Sequence, residues 1–319
     1  MKEVTIVIPN YNGIKFLNHC LSSIQEKNTL DVDVIIVDNA SEDGSIQEAR
    51  REYPHYEYIL LDKNYGFSRA VNEGIKRAKT PYVLLLNNDT EIEYGFVEEL
   101  LSSIKKNDKV FSVEALMIQY NNRNKVDSAG TFYNAMGWAY ARGRDKDVEN
   151  YRTEINTFAA CAGAAIYRRE VFKKIGLFDE SFFAYLEDID VGYRGRIAGY
   201  KNKVEPKARV YHIGSGSSGS RYNLFKIGYS SRNNIYLIYK NMPTLQIILN
   251  LPFLLIGFGI KYVFFVKKGF GKEYFKGLIS GFKYSYKVRK TKVRKENIKN
   301  YILIQMELWV NIFRKFLSK

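Results

Sequence analysis

The chain has 319 residues, of which 46% are hydrophobic and 26% charged, and this fits one large α/β domain with an appendage. Its net charge of +15 is unevenly spread, because residues 240–319 hold 17 Lys and Arg against 3 Asp and Glu. A basic partner surface is therefore expected in the last quarter of the chain. The two cysteines, Cys20 and Cys161, exclude a disulfide framework and a cysteine-based metal site, and they suit a reducing compartment.

Strand signals begin at residue 4, so the sequence as it stands leaves no room for an amino-terminal signal peptide. No internal repeat is visible. Residues 214–220 form a Gly/Ser-rich stretch, which predicts a mobile loop. This stretch lacks the Gly-Lys-Ser/Thr ending of a phosphate-binding P-loop.

Four short apolar runs alternate with helical patterns over the first ninety residues. The runs are residues 4–8, 34–37, 58–61 and 82–86. The last run, Tyr-Val-Leu-Leu-Leu, carries no charge and is too short for a typical helix, so it predicts a strand buried on both faces. Four strand–helix units in so few residues predict an α/β fold with a doubly wound, mostly parallel sheet and right-handed crossovers.

Polar residues follow each predicted strand directly. They are Asn10, Asp38-Asn39, Asp62 with Asn64, and Asn87-Asn88-Asp89. The carboxyl ends of parallel strands meet at one edge of the sheet, where open α/β sheets bind ligands. Four such endings predict a nucleotide pocket, and their oxygen atoms suit a divalent cation that carries phosphates. An ordinary polar turn is the alternative for any single ending.

Two features narrow the choice of nucleotide. A dinucleotide fold needs Gly-x-Gly-x-x-Gly after the first strand, but residues 9–14 contain only Gly13, which argues against NAD and FAD. Asp38 is placed to accept a hydrogen bond from an N–H group of a pyrimidine base. Its spacing alone favours a helix cap, and both interpretations stay open.

A second acidic group lies in the middle of the chain. Glu187, Asp188 and Asp190 stand within four residues at a predicted helix start, where carboxylates are favoured. Asp190 and Arg194 are four apart and predict a structural pair. Asp188 is the candidate general base, and the alternative is that these acids merely start a helix. His212 closes a later strand, and we expect it to bind a metal beside a Gly/Ser loop that folds over phosphates.

Two further segments have open interpretations. Residues 121–152 are polar and aromatic, and they predict either an acceptor site or a variable loop. Residues 158–166 are mostly small, so either a substrate approaches closely there or the sheet packs tightly.

Six motifs, in this order and spacing, resemble glycosyltransferase family 2 and within it the bacterial rhamnosyltransferase-like branch. They are Pro9-Asn10-Tyr11-Asn12, Asp38-Asn39-Ala40-Ser41 with Asp43-Gly44-Ser45, Asn64-Tyr65-Gly66-Phe67 with Asn72 and Gly74, Asn87-Asn88-Asp89-Thr90, Glu187-Asp188 with Asp190 and Arg194, and His212. The resemblance covers residues 3–215. It implies an inverting enzyme with the GT-A fold.

The resemblance also implies roles for individual residues. Asp38 would read the pyrimidine base, and Asp188 would be the catalytic base. Asp89 would bind Mg²⁺ or Mn²⁺, with His212 as a second protein ligand. Asn87 stands where the family has the first acid of its Asp-x-Asp motif, which lowers the charge of the site. The implied nucleotide and substrate contacts are Pro9, Tyr11, Asp38, Asn64, Gly66, Asn72, Asn87, Asn88 and Glu187.

The implied reaction transfers a sugar from a nucleotide-sugar donor to an acceptor hydroxyl group, with inversion at the anomeric carbon. dTDP-rhamnose is the favoured donor, and a UDP-sugar (GlcNAc, Gal or Glc) is the alternative. The expected acceptor is a lipid-linked or oligosaccharide intermediate of cell-surface polysaccharide synthesis. The competing classes are a nucleic-acid-binding protein that uses the basic tail and an inactive relative of the enzyme. We expect no nucleic-acid partner.

The sequence divides into a catalytic domain at 1–220 and a basic, apolar helical region at 221–319. The twenty uncharged residues 241–260 are long enough to span a membrane. Both flanks are expected on the cytoplasmic side, so we prefer a segment on or in the inner leaflet over a single span. A solvated basic helical bundle is the other alternative. The tail has an apolar stripe suited to an interface of anionic lipid: Ile298, Ile302, Trp309, Phe313 and Phe316.

Overall fold

Strands and helices alternate over the first hundred residues of the computed structural model, which describes residues 2–214 and 222–317. The predicted Gly/Ser loop after Gly214 and the predicted domain boundary at 220 lie outside the described residues. All four predicted strands are present, each within two residues of its predicted ends. The elements are β1 (Val4–Asn10), α1 (Leu17–Lys27), β2 (Asp33–Asp38), α2 (Ser45–Glu52), β3 (Glu57–Leu60), α3 (Phe67–Arg77), β4 (Tyr82–Leu86), β5 (Thr90–Ile92) and α4 (Phe96–Lys105).

The rest of the sheet comes from the next hundred residues. Its elements are β6 (Val110–Gln119), β7 (Val126–Ser128), β8 (Thr131–Tyr133), β9 (Ala139–Ala141), β10 (Ile155–Thr157), β11 (Ala164–Arg168), α5 (Arg169–Ile175), α6 (Glu187–Ile197) and β12 (Lys201–His212). Four α-helices follow within residues 222–317: α7 (Leu224–Asn241), α8 (Thr244–Lys267), α9 (Gly271–Tyr284) and α10 (Ile298–Leu317).

One large sheet organises the molecule. Its strand order is β10-β12-β6-β11-β4-β1-β2-β3, with β5 and β7 paired at β12 and β6. The neighbours β3, β2, β1 and β4 are parallel, as predicted. β11 runs antiparallel to both β4 and β6, and β6 is parallel to β12. Six of the strands in this order therefore bring their carboxyl ends to a single edge.

Strand β4 lies at the centre and is buried on both faces. Leu84 and Leu86 pack in the cluster that contains α1 and α4, whereas Val83 and Leu85 pack in the cluster that contains α3 and α5. Successive side chains of a strand point to opposite faces. An uncharged run of five residues is therefore what a strand between two helical layers requires.

The aromatic segment 121–152 packs against the C-terminal helices. Tyr133 is fully buried, and its hydroxyl donates to Oδ1 of Asn234 in α7 at 2.7 Å. Trp138 donates from Nε1 to the carbonyl oxygen of Gly257 in α8 at 3.0 Å. These aromatic side chains are a packing surface for helices, so they do not support the interpretation of this segment as an acceptor site.

The C-terminal helices share a hydrophobic core with the sheet domain. Leu237 of α7 and Leu308 of α10 lie in one buried cluster with Phe158 and with Tyr193 of α6. These helices therefore pack directly against the sheet domain, and the domain boundary at 220 stays a prediction. The helices are a layer of the fold, and this places α7 next to the candidate site.

Candidate active site

A chain of hydrogen bonds joins the carboxyl ends of β4, β1 and β2. Asn88 donates from Nδ2 to Oδ1 of Asn10 at 2.7 Å, and Asn10 donates to Oδ1 of Asp38 at 2.9 Å. Asp38 also accepts from the main-chain N–H and the hydroxyl group of Ser41. Asp38 therefore closes a turn with Ser41 and does not cap a helix. The polar edge predicted from the strand endings is formed.

Asn64 and Gly66 extend this edge at the end of β3. Asn64 accepts at Oδ1 from Asn39 at 3.0 Å and from the N–H of Gly66 at 2.9 Å. Gly66 has a φ of +84°, and a Cβ atom there would lie 2.5 Å from the carbonyl oxygen of Phe183. Only glycine fits, because it adopts a positive φ and admits the loop that precedes Asp188.

Pro9, Tyr11 and Asn87 lie around the same edge. Pro9 and Asn87 are half-buried, and Tyr11 is 40% exposed. The main-chain N–H of Asn87 donates to the carbonyl oxygen of Gly163 at 2.8 Å. This bond joins the end of β4 to the turn that precedes β11.

Asn72, on α3, has contacts of a different kind. It is 2% exposed, and its Nδ2 donates to the carbonyl oxygen of Phe178 at 2.8 Å. Its Oδ1 accepts from the N–H of Phe178 at 3.0 Å. These bonds fix Asn72 against the main chain of Phe178, and the substrate contact that the resemblance implied stays a prediction.

Asp89 and His212 face each other at the ends of β4 and β12. Oδ1 of Asp89 lies 3.4 Å from Nε2 of His212, and the two side chains are 7% and 15% exposed. Nδ1 of His212 lies 2.8 Å from Oδ2 of Asp127, a residue that sequence reasoning missed. A carboxylate on the second ring nitrogen is the arrangement that orients a metal-binding imidazole.

Asp89 and His212 together supply only some of the ligands that a divalent cation needs. No group of three or more His, Cys, Asp or Glu side chains within 2–214 and 222–317 is arranged to hold an ion. One carboxylate and one imidazole are sufficient for a cation that keeps water and takes phosphate oxygens as its other ligands. The residues therefore fit a metal that is bound together with a nucleotide.

Positive charge surrounds this pair. Burial alone would lower the pKa of His212, but its hydrogen bonds to Asp127 and Asp89 raise the pKa to about 10. The imidazole is therefore protonated without an ion and must release the proton on Nε2 to bind one. Arg144 lies 3.0 Å from Asp127, and the carboxylates of Asp89 and Asp127 act electrostatically on Lys226 of α7. Cationic groups at a strand edge are suited to a diphosphate.

Asp188 begins α6 next to the turn that precedes β11. Its Oδ1 accepts a hydrogen bond from the main-chain N–H of Ile189 at 2.7 Å. Burial raises the pKa of Asp188 to about 6, although this bond opposes the shift. A carboxylate with such a pKa is suited to accept a proton near neutral pH. The charge of Asp188 acts on Cys161, so Asp188 lies near the turn whose Gly163 accepts from Asn87 at the end of β4.

Glu187 is a second carboxyl group beside the candidate base. It is 7% exposed, and its Oε2 has no hydrogen-bond partner among the described residues. Burial and the charge of Asp188 raise the pKa of Glu187 well above its usual range. A buried polar atom without a partner costs free energy unless a ligand supplies one, which fits the predicted substrate contact.

Glu114, on β6, supports the turn beside Asp188 and was missed by sequence reasoning. It is fully buried and accepts hydrogen bonds from the N–H of Cys161 at 3.0 Å and from the hydroxyl of Thr131 at 2.9 Å. Burial raises its pKa to about 7. The available signal was a lone carboxylate within a buried strand, which usually requires several hydrogen-bond donors.

The loop before Asp188 has a strained main chain. Phe183, Tyr185 and Leu186 have φ values of +61°, +72° and +68°. Each such non-glycine residue costs about 1–3 kcal/mol and persists only where its surroundings impose the conformation. Leu186 is the N-cap residue of α6, so the loop determines where the helix that carries Asp188 begins.

Asp190 anchors the same helix from its buried side. Its Oδ2 lies 2.8 Å from Arg194 and 2.9 Å from Lys240, and its Oδ1 accepts from Asn241 at 2.8 Å. Burial alone would raise the pKa of Asp190, but Arg194 and Lys240 lower it to about 2. The pair with Arg194 was predicted to be structural, whereas its partners from α7 were not predicted.

The family model described as glycosyl transferase family 2 matches residues 5–176, more than half of the chain. The chain belongs to glycosyltransferase family 2. The matched range of this family 2 enzyme includes the strand edge with Asp38 and Asp89. It ends before Asp188 and His212.

Two relatives of this family 2 glycosyltransferase are named for the synthesis of different sugar linkages. One is the N-acetylglucosaminyl-diphospho-decaprenol L-rhamnosyltransferase of Mycobacterium tuberculosis, 26% identical over 239 residues, which cover 67% of this chain and 77% of the relative. The other is the poly-beta-1,6-N-acetyl-D-glucosamine synthase of Staphylococcus epidermidis, 26% identical over 216 residues, which cover 67% of this chain and 50% of the relative.

Solved structures share the fold of this family 2 glycosyltransferase. GalNAc-T7 with UDP, GalNAc and Mn²⁺ aligns at a TM-score of 0.60 and 17% identity, over 75% of this chain and 48% of its own. The mannosyltransferase PcManGT from Pyrobaculum calidifontis, in complex with GDP-Man and Mn²⁺, aligns at a TM-score of 0.54 and 14% identity. The alignment covers 89% of this chain and 87% of the mannosyltransferase. The predicted GT-A fold is confirmed.

Proposed function

We propose that this glycosyltransferase inverts the anomeric centre as it moves a sugar from a nucleotide-sugar donor to a hydroxyl group of a glycan acceptor. The observation that carries the proposal is the convergence of Asp38, Asp89 and Asp188 at one edge of the sheet. Asn88 directly precedes Asp89 in the chain, and a chain of hydrogen bonds links Asn88 to Asp38. The turn at 160–163 lies between this edge and Asp188. A nucleotide pocket and a nearby base are the two parts that the reaction needs.

In this proposal each residue acts at a stated atom. Asp188 takes the proton of the acceptor hydroxyl group as that oxygen bonds to the anomeric carbon. The bond from the anomeric carbon to the diphosphate oxygen breaks, and its electron pair leaves with the nucleoside diphosphate. Arg144 and Lys226 stabilise the charge on this leaving group. Glu187 offers its unpartnered Oε2 to the substrate, and Asp38 accepts from the N–H of the base.

Asp89 and His212 are the residues that would hold Mg²⁺ or Mn²⁺, and both solved neighbours described above contain Mn²⁺. A bound ion would neutralise part of the charge of the diphosphate. Because Asn87 replaces a second carboxylate, the protein alone offers few charged ligands. We therefore expect the ion and the nucleotide to bind more tightly together than separately.

Asp89→Ala is expected to weaken Mn²⁺-dependent nucleotide binding by about 10–100-fold, the size of loss seen when a metal site is disturbed. Calorimetric titration with UDP and dTDP, with Mn²⁺ and with EDTA, measures the effect. Asp31→Ala is the control, because Asp31 is 79% exposed and lies outside the site. Equal nucleotide affinity of the Asp89 variant and the unaltered protein in Mn²⁺ would remove Asp89 from this role.

We propose dTDP-rhamnose as the donor, supported by the rhamnosyltransferase relative, and UDP-GlcNAc as the second candidate, supported by the synthase relative. Thymine and uracil present the same N–H to Asp38, so the structure favours neither. Thermal-shift screening with dTDP-rhamnose, UDP-GlcNAc, UDP-Gal and UDP-Glc in Mn²⁺ tests both candidates. A ligand at one hundred times its Kd stabilises by about 2.7 kcal/mol. Stabilisation by GDP-mannose alone would contradict pyrimidine recognition by Asp38.

We propose that helix α8 lies on the cytoplasmic face of a membrane, where a lipid-linked acceptor would be presented. Within the described residues, α8 is the one helix long and apolar enough to cross a membrane. One face of α8 is fixed to the protein, because Gln246 accepts from Tyr193 at 2.8 Å and Asn250 exchanges hydrogen bonds with Gln305 of α10. The opposite face exposes Leu245, Ile248, Leu255 and Ile256. A helix held along the protein in this way supports an interfacial position over a span.

Replacing Leu255 and Ile256 together by Glu is expected to reduce binding to vesicles that contain phosphatidylglycerol by about tenfold or more. Each such side chain contributes about 1.5–3 kcal/mol when it is buried. Raised salt should weaken binding further, because residues 262–319 hold 15 basic and 3 acidic side chains. Co-sedimentation measures both effects, and Leu60→Glu on β3, at the far edge of the sheet, is the control. Stronger retention on RNA than on vesicles at matched salt would favour the nucleic-acid class.

A further inference from the structure

The strained loop before Asp188 is held by helix α7, which belongs to the C-terminal layer. Asn233 of α7 is fully buried. Its Nδ2 donates to three main-chain carbonyl oxygens of the loop, those of Phe182 at 2.8 Å, Ala184 at 2.8 Å and Tyr185 at 2.7 Å. Each of these carbonyls belongs to the residue directly before one with positive φ, which is Phe183, Tyr185 or Leu186. One amide group therefore fixes the part of the loop in which the main chain is least favourable on its own.

The neighbouring residue, Arg232, extends this contact. Its Nη2 donates to the carbonyl oxygens of Ser181 and Phe182, both at 3.0 Å, and its Nε donates to Oδ1 of Asn233 at 3.0 Å. The guanidinium group therefore orients the Asn233 amide so that its Nδ2 faces the loop.

Aromatic packing holds the outer side of the loop against the same helix. The Phe183 ring is stacked on Tyr229 of α7 at a centroid distance of 5.2 Å, and the Tyr185 ring meets Phe225 edge-on at 6.0 Å. On its other side, the loop touches Gly66 at the nucleotide edge. The loop is thus confined between the nucleotide edge and α7.

We propose that Asn233 is a positioning residue that holds the 182–186 loop, and through it the start of α6, so that the Asp188 carboxylate points at the acceptor. The inference rests on the proposed role of Asp188. It assigns to the C-terminal layer a part in catalysis besides membrane association. Asn233 is buried and touches no substrate, so it acts only through the loop.

The consequence of losing Asn233 follows from the conformation of the loop. Without the amide, the carbonyl oxygens of Ala184 and Tyr185 lose their side-chain donor, whereas that of Phe182 keeps Arg232. The residues at positive φ then lose a contact that opposes their relaxation. Leu186 is the N-cap of α6 and accepts from the N–H of Asp190 at 3.0 Å, so a change at Leu186 moves the first turn of the helix. Asp188 lies in that turn.

The matched control is Asn234, the next residue of the same helix. It is 3% exposed, donates to the carbonyl of Gly137 at 2.6 Å and accepts from Tyr133 at 2.7 Å. Both asparagines are buried and bind main-chain carbonyls, but Asn234 faces the segment at 133–137 and does not touch the loop. Both alanine variants should destabilise the protein, and only one should displace Asp188.

The experiment compares full-length Asn233→Ala and Asn234→Ala in turnover, nucleotide affinity and melting temperature. Asn233→Ala is expected to lower kcat by about 100-fold, the cost of misplacing a catalytic group by about 1 Å, with nucleotide affinity unchanged. Asn234→Ala should keep kcat near that of the unaltered protein at a similar loss of melting temperature. Equal kcat losses in the two variants would overturn the proposal. If Asn233→Ala does not fold, Arg232→Ala, which leaves the Asn233 amide in place, is expected to lower kcat in the same direction by less.

A compensating substitution and an activity-independent readout complete the test. Leu186→Gly removes the cost of positive φ at the N-cap, so it should restore part of the kcat lost in Asn233→Ala. Hydrogen exchange at the Asp190 amide should become faster in Asn233→Ala and remain unchanged in Asn234→Ala, whether or not a substrate is known. Normal turnover of Asp188→Asn would defeat the proposed function, whereas unchanged exchange in Asn233→Ala would defeat this inference alone.

Discussion

Asp188→Asn is expected to lower turnover by about 10²–10⁴-fold, the usual contribution of a general base, and to leave nucleotide affinity unchanged. The amide is nearly isosteric with the carboxyl group and can still accept from the N–H group of Ile189. It cannot take a proton from the acceptor hydroxyl. Release of nucleoside diphosphate at saturating donor and acceptor measures turnover, and calorimetry measures nucleotide affinity.

The dependence of kcat on pH gives a second measure of the same residue. Because the pKa of Asp188 is raised to about 6, turnover should fall as the pH drops below about 6, where the base becomes protonated. Glu187 and Glu114 interact electrostatically with this carboxylate, and each has a raised pKa, so the acid limb belongs to the group and not to Asp188 alone. Near-normal turnover of Asp188→Asn, with an unchanged acid limb, would assign the base to another residue.

Asp190→Ala is expected to lower the free energy of unfolding by about 3–5 kcal/mol, because it leaves two buried cations without their shared carboxylate. Arg194 and Lys240 are 6% and 7% exposed, so water cannot replace the lost partner; Lys240 keeps Asp179, whereas Arg194 is left with no carboxylate. Urea denaturation followed by circular dichroism measures the loss. The folded-state pKa of about 2 lies below the unfolded value, so this stabilisation is present above about pH 4 and declines as the pH falls toward 2.

A surface ion pair provides the comparison for Asp190. Glu73 pairs with Arg69 at 2.9 Å and the same i,i+4 spacing, but the two side chains are 24% and 40% exposed. Glu73→Ala should therefore change the free energy of unfolding by at most about 1 kcal/mol. A similar loss in both variants would show that burial of the Asp190 network adds nothing.

The two substitutions separate the roles of neighbouring carboxylates on one helix. Residues two apart on a helix point in different directions, so Asp188 faces the turn at 160–163 while Asp190 faces α7. The Asp188→Asn variant should lose turnover while its free energy of unfolding stays nearly normal. The Asp190→Ala variant should lose stability first, and any loss of turnover should follow from displacement of α6.

Local pattern alone determined the four neighbouring parallel strands of the sheet and their polar edge. These features involve only residues that are close in the sequence, so they can be recognised in order along the chain. They are apolar runs of four or five residues, helical spacing between the runs, and polar residues after each run. The same holds for Asp188 at the start of α6 and for the pair of Asp190 with Arg194. The antiparallel direction of β11 could not be read, because a buried run looks the same in both directions.

Only the tertiary structure decided the contacts between residues that lie far apart in the sequence. Asp127 reaches His212, Glu114 reaches the turn beside Asp188, and Asn233 reaches the loop before it, although nothing near any of these residues in the sequence marks the contact. The C-terminal region carries a clear charge and apolar signal, yet its contact with α6 and the loop before it depends on single buried amide and amine groups. Such contacts depend on how the layers pack, because a polar group is placed by the donors and acceptors that folding brings to it.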